Sequence, residues 1–166
     1  MRIKTQDMRI LNHWLRQSPW PEQIIIFAPI HKKTESPMAL KDFKTRIKIK
    51  AEPQDVYAAL TNPFTIELWS GYPAQMSEEP GFEFSMWEGD IEGKILETIP
   101  NQKVVQQWYF GDQEEASVAT IKLFADGPQT QVELVHTNIP ADDFDDITQG
   151  WKEFYLGAIK EFLEIE

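Results

Sequence analysis

The sequence predicts an α+β domain: a curved antiparallel β-sheet of about six to seven strands, two short helices near its start, and a long C-terminal helix packed across it. Three observations carry that expectation. From Phe43 to His136 apolar residues recur mostly with period two, in short runs separated by Gly, Pro, Asn and Asp. That is the pattern of hairpins rather than of strands alternating with helices. Two proline-headed segments with helical spacing interrupt the pattern once, directly after the first strand. The chain then closes on a helical stripe, Ile147, Trp151, Phe154, Ala158 and Phe162, which steps by four, three, four and four residues.

Residues 1–37 stand apart from this scheme. Met8, Leu11 and Leu15 can share one face of a short helix with Trp14 beside it, and Ile24 to Phe27 can form a strand. Pro19, Pro21, Pro29 and Pro37 break up the remainder. Charge divides at the same place. Residues 1–37 hold six Lys/Arg and three Asp/Glu, a net of +3, and residues 38–166 hold ten and twenty-four, a net of -14. The simplest organisation is an N-terminal extension over 1–37, a translated leader or flexible arm with Met38 as the biological start, and one domain over 38–166.

Within that domain the elements follow in order. Phe43, Thr45, Ile47 and Ile49 alternate with Lys44, Arg46, Lys48 and Lys50, a half-buried strand with a basic outer face. "EPQDVYAAL" places Pro53 at a first helical position with Val56, Tyr57 and Leu60 as its apolar stripe. "TNPFTIELW" restarts a helix with Asn62 as N-cap and Pro63 at the first position. Phe82, Phe84 and Met86 share a strand face, "WEGD" turns the chain, and a strand from Ile91 to Ile99 is broken by Gly93. Strands at 104–110, 116–124 and 132–136 follow, the last two joined by the turn "ADGPQ", and Pro140 ends the sheet. "ADDFDD" opens the final helix with Asp142 or Asp143 as N-cap, its acidic residues suited to the positive end of the helix dipole. Lys152, Glu153, Lys160 and Glu164 lie away from the apolar stripe, and Gly157 sits mid-helix, where another backbone can approach closely.

Composition removes several classes of function. There is no cysteine, which excludes disulfides and Cys-ligated zinc. No apolar run approaches the ~20 residues of a membrane span, and no apolar h-region follows Arg2 and Lys4. A net charge of -11 disfavours a nucleic-acid partner. These features together point to the cytoplasm. No nucleophile elbow, phosphate loop, dinucleotide fingerprint or HExxH motif occurs. "DDFDD" lacks the glycine and spaced oxygen ligands of a calcium loop, and a charged helix start accounts for it. No cofactor or metal site is expected.

Motif by motif, residues 42–165 resemble a known family. "AALTNP" with "ELW", then "PGFEFSMWEGDIEGKILETIPNQKVVQQW", "ATIKLF", "QVELVHTNIP" and "QGWKEFYLGAIKEFL" are similar to the C-terminal domain of the activators of the 90-kDa heat-shock protein ATPase. Gly150-Trp151 with Tyr155, Ile159 and Lys160 is the most specific part. The resemblance implies a helix-grip fold of the START-like (SRPBCC) superfamily. The leading reading is a non-enzymatic domain of this type that binds a hydrophobic small molecule or a protein client in the stress response; the alternative is a co-chaperone that binds and modulates a 90-kDa heat-shock protein ATPase. An enzyme using the cavity is the third reading.

The candidate site is the aromatic set that the sheet and final helix would enclose: Phe82, Phe84, Trp108, Phe110, Trp151, Phe154 and Phe162, with Ala158 on the helix. Gln106, Met86 and His136 supply its polar and adaptable members. These residues fill a core or line a cavity, since ligand pockets are mostly apolar with a few polar groups. His136 falls on the same alternation as Val132 and Leu134 and points inward. As an acid or base it would need a positioned partner.

Overall fold

A computed structural model of the chain describes residues 38–165. The expected helix near 8–15, the strand at 24–27, His13 and His31 lie outside the described residues. Strand β1 (Leu40–Ile49) leads into helices α1 (Pro53–Thr61) and α2 (Pro63–Ser70). Five strands follow: β2 (Glu83–Met86), β3 (Ile91–Ile99), β4 (Lys103–Trp108), β5 (Ser117–Asp126) and β6 (Gln129–Pro140). All neighbours pair antiparallel in one six-stranded sheet of order β1-β6-β5-β4-β3-β2. The pair α1–α2 therefore carries the chain from one edge of the sheet to the other. A final helix, α3, spans 144–163 and packs across the inner face, the helix-grip arrangement.

Local chemistry sets the element ends. Pro53 and Pro63 occupy first helical turns, where a missing N–H costs nothing. Asn62 ends α1 and starts α2; its side-chain oxygen accepts from the N–H groups of Phe64 at 3.0 Å and Thr65 at 3.1 Å. Gly71, at φ 77°, closes α2 in the left-handed conformation. Asp143 is the N-cap of α3, but its side chain makes no capping bond.

Register separates the two faces. Phe43, His136, Ala119, Gln106 and Ile95 lie side by side across five strands, and all five are buried. An outward row three positions along, Arg46, Glu133, Lys122 and Lys103, includes Arg46 of the basic face expected for the first strand. Arg46 pairs with Glu133 at 2.6 Å and Lys48 with Asp126 at 2.7 Å. Such exposed pairs contribute little, under about 1 kcal/mol each. Gly93 has a packing reason: a Cβ there would lie 2.7 Å from Phe84 Cζ and would strike the Gln107 carbonyl.

The final helix corrects the predicted stripe. It is α-helical over Phe144–Gln149 and Leu156–Leu163, but Gly150–Tyr155 forms a π turn, in which the Leu156 N–H bonds to the Trp151 carbonyl five residues back. The wide turn rotates everything beyond Trp151 by about one residue position. Trp151, Tyr155, Leu156 and Ile159 are buried, whereas Phe154, Ala158 and Phe162 are only partly covered. Gly157 is explained by the same feature, because a Cβ there would collide with the Lys152 carbonyl. The last turn is also less free than expected. Lys160 Nζ donates to the Lys48 carbonyl at 2.6 Å and pairs with Glu164 at 2.7 Å, and Glu164 accepts the Lys50 N–H at 2.8 Å. These contacts hold α3 to the β1 edge. No helix among the described residues is long and apolar enough to cross a membrane.

Candidate functional site

At the centre of the molecule α3 lays Trp151 and Tyr155 onto the inner row of the sheet. Trp151 stacks on Trp108, with ring centroids 4.8 Å apart and planes inclined by 27°. Tyr155 lies 4.4 Å from Trp151 and 5.3 Å from Trp69. His136 meets the edges of Trp108 and Trp151 at 4.9 and 5.9 Å. These rings touch one another across the space between helix and sheet, and such pairs add about 0.5–1.5 kcal/mol each beyond area burial.

Hydrogen bonds determine the state of His136. The Trp151 indole Nε1–H can only donate, and it lies 2.9 Å from His136 Nδ1. Nδ1 is therefore an acceptor, and the proton of the neutral ring resides on Nε2. Nε2–H then donates to Ser117 Oγ at 2.9 Å, and the Ser117 hydroxyl donates in turn to the Thr137 carbonyl at 3.1 Å. A hydrolytic serine needs the opposite polarity, with histidine accepting the hydroxyl proton. Burial pushes the His136 pKa down to about 4, opposed weakly by the Asp42 charge. The Ser117–His136–Trp151 chain thus fastens helix to sheet with a neutral imidazole.

A second polar pair lies beside it. Trp108 Nε1–H donates to Gln106 Oε1 at 3.1 Å. This leaves Gln106 Nε2 pointing toward the Tyr155 hydroxyl, and neither atom completes a hydrogen bond among the described residues. Burial raises the Tyr155 pKa to about 12, with the Gln106 amide acting weakly against it. At neutral pH Tyr155 is a buried, protonated donor.

Gln106, Trp108, His136 and Trp151 meet at this centre. Phe84 and Met86 are buried near it on β2. Phe110 lies at the margin, 6.4 Å from the His136 ring. Phe82 does not join them: it precedes β2 and is 36% exposed at the rim. Phe154, Ala158 and Phe162 are turned off the buried face by the π turn. Four buried contributors were missed in the sequence. Tyr155 was displaced from the predicted stripe by the π turn, Trp87 was hidden in a segment read as a turn, and Trp69 and Ser117 stood at element ends. A shallow depression of about 30 Å³, room for roughly one water, is lined by residues of the 107–117 segment, Trp108, Phe110 and Ser117 among them. No cluster of His, Asp or Glu suited to a metal occurs among the described residues. At the start of α3, partial burial and the charges of Asp142 and Asp146 raise the pKa of Asp143.

Comparison with known proteins agrees with this architecture. The family model of Activator of Hsp90 ATPase homolog 1-like proteins matches residues 50–164. An activator of 90 kDa heat shock protein ATPase homolog from Dictyostelium discoideum is 31% identical over 135 residues, covering 80% of this chain and 34% of that protein. Activator homolog 1 from Homo sapiens is 27% identical, covering 80% of this chain and 41% of that protein. The chain thus spans about a third to two-fifths of the length of these relatives. Among solved structures, an HSP90 activator from Plasmodium falciparum superposes with a TM-score of 0.69 at 24% identity, over 75% of this chain and 96% of that one. The Aha1 dimer from Colwellia psychrerythraea gives 0.65 at 26% identity, over 76% and 98%. A helix-grip domain with these motifs, matched over most of its length, belongs to the family of Activator of Hsp90 ATPase homolog 1-like proteins.

Proposed function

We propose that this domain is a non-enzymatic cytoplasmic co-chaperone module that binds a 90-kDa heat-shock chaperone through its surface and alters that chaperone's ATP turnover. The observation that carries this reading is the interior. Trp108, Trp151, Tyr155 and His136 occupy the space between helix and sheet with their own rings, and the one histidine–serine pair there has the wrong polarity for hydrolysis. Family membership and a formal charge of -14 over residues 38–166 support a surface that steers toward a basic partner.

The test is steady-state ATP hydrolysis by the 90-kDa chaperone of the same organism, with and without this protein. A changed rate is expected. An unchanged rate at saturating complex would reduce the role to binding alone, and the absence of a complex would remove it.

A further inference from the structure

Strand β1 is an edge: β6 pairs with it on one side, and among the described residues no strand pairs with it on the other. In an antiparallel ladder the N–H and C=O groups of successive residues point alternately toward the neighbour and away from it. Ala39 faces β6, where its carbonyl accepts the Ala141 N–H. Alternation from there turns the backbone groups of Leu40, Asp42, Lys44, Arg46 and Lys48 to the open side. The end of α3 closes only the far part of that edge: Lys160 Nζ donates to the Lys48 carbonyl, and Glu164 accepts the Lys50 N–H. From Leu40 to Arg46 the outward donors and acceptors form a template on which a further strand can add.

The same edge gathers the cations of an acidic body. Residues 38–166 hold ten Lys/Arg against twenty-four Asp/Glu. Five of those ten, Lys41, Lys44, Arg46, Lys48 and Lys50, lie on β1 or directly after it. Two more reach it from α3: Lys152 Nζ lies 5.4 Å from the centre of the Phe43 ring, and Lys160 holds the Lys48 carbonyl. Glu133, Asp126 and Glu164 neutralise Arg46, Lys48 and Lys160. Lys41, Lys44, Lys50 and Lys152 have no ion-pair partner among the described residues. Charged side chains on an edge oppose self-pairing, and a second copy is disfavoured here, because two β1 edges side by side would set like charges against each other. Repelling a like edge needs nothing from α3, yet Lys152 adds positive charge to the same stretch from the inner side. The surplus is a complement for negative charge.

We infer that the open edge of β1 binds an acidic protein segment in extended form, added as a further strand of the sheet. Main-chain hydrogen bonds to Asp42, Lys44 and Arg46 supply affinity, and alternate side chains of the segment supply specificity. One set of side chains faces the exposed Lys44 and Arg46, where carboxylates directly opposite are favoured. Opposite Asp42, whose carboxylate accepts the Asn138 N–H at 3.1 Å, a neutral residue fits. The other set faces the half-buried Thr45 and Ile47 and suits branched apolar groups. The open stretch accommodates roughly seven residues at about 3.3 Å each. This site does not rest on the chaperone reading, which is carried by the filled interior, so the two can fail separately.

The test is nuclear magnetic resonance on the full chain at low salt, with the peptide acetyl-Thr-Val-Glu-Val-Glu-Val-Thr-amide as the probe. Saturable shifts are expected along β1 from Leu40 to Arg46. Amide hydrogen exchange at Lys44 and Arg46 should slow at least about tenfold, because their outward N–H groups gain acceptors. The peptide acetyl-Thr-Glu-Glu-Val-Val-Val-Thr-amide has the same charge but places its two carboxylates on opposite faces, and it should bind more weakly. Lys44→Glu should weaken binding of the first peptide at least about tenfold, since it sets like charges opposite each other. Lys44→Pro removes an outward donor at an edge position where proline is tolerated, and it should abolish binding. If Lys44→Pro fails to fold, the exchange rates of the parent chain and the Lys44→Glu titration decide the matter. No shifts at millimolar peptide would overturn the site. Shifts with unchanged exchange at Lys44 and Arg46 would overturn strand addition and leave only charge attraction. Shifts along β1 that grow with protein concentration in the absence of peptide would overturn the acidic segment in favour of a second copy.

Discussion

Acid should loosen this fold through a single buried imidazole. His136 is locked neutral, with Nδ1 accepting from Trp151 and Nε2–H donating to Ser117. Protonating it would set two donors against each other at Nδ1 and place a charge among aromatic rings. Its pKa is lowered from 6.5 to about 4, principally by burial. Between those values the unfolded chain binds a proton that the folded chain refuses, so stability is complete above pH 6.5 and falls as pH drops toward 4. Below that point this group costs nothing more. A shift of that size corresponds to roughly 3 kcal/mol at about 1.4 kcal/mol per unit, a large part of the ~5–15 kcal/mol of a typical domain. The assay is urea unfolding at intervals from pH 7.5 to 4, on the parent and on His136→Gln, whose amide can both accept from Trp151 and donate to Ser117. The variant should be less stable at pH 7.5 and show a shallower decline below 6.5. Surface carboxylates and the other two histidines are common to both proteins and cancel in the difference. Parallel profiles would refute the locked neutral imidazole.

Three further outcomes follow from packing. Gly157→Ala, which in an ordinary helix would stabilise by about 1 kcal/mol, should instead destabilise by about 1–3 kcal/mol, since its methyl group meets the Lys152 carbonyl; chemical denaturation gives the sign directly. Trp151→Ala should cost ~3–5 kcal/mol and leave His136 Nδ1 without a donor, whereas Lys152→Ala, on an exposed position, should stay within about 0.5 kcal/mol. Asn62→Ala should lower stability by ~1 kcal/mol, read in the melting temperature, because two N–H groups of α2 lose their acceptor.

Legibility in the sequence tracked how local each cause was. Pro53, Asn62 and Pro63 act within a few residues of themselves, and the two short helices were readable from them. Period-two alternation placed His136 and Gln106 on the inner face, because a strand residue can point only one way or the other. The π turn was not readable: its register depends on Trp151 meeting Trp108 and His136, contacts made across the fold. The predicted stripe therefore kept Trp151 and lost Tyr155 and Ile159 to Phe154 and Ala158. Gly157 was the one local trace of that turn. Trp87 was missed for a related reason. "WEGD" has the composition of a tight turn and it does turn the chain, but the tryptophan at its start is buried by partners on α2 and α3.

Binding of the purified chain to the 90-kDa heat-shock chaperone of its own organism, measured calorimetrically at low and at raised salt, tests the central claim most directly. A module whose interior is filled by its own rings, and whose body carries a charge of -14 over residues 38–166, should form a saturable complex that weakens as salt screens the surface. Absence of any complex at low salt would contradict a role at the chaperone's surface.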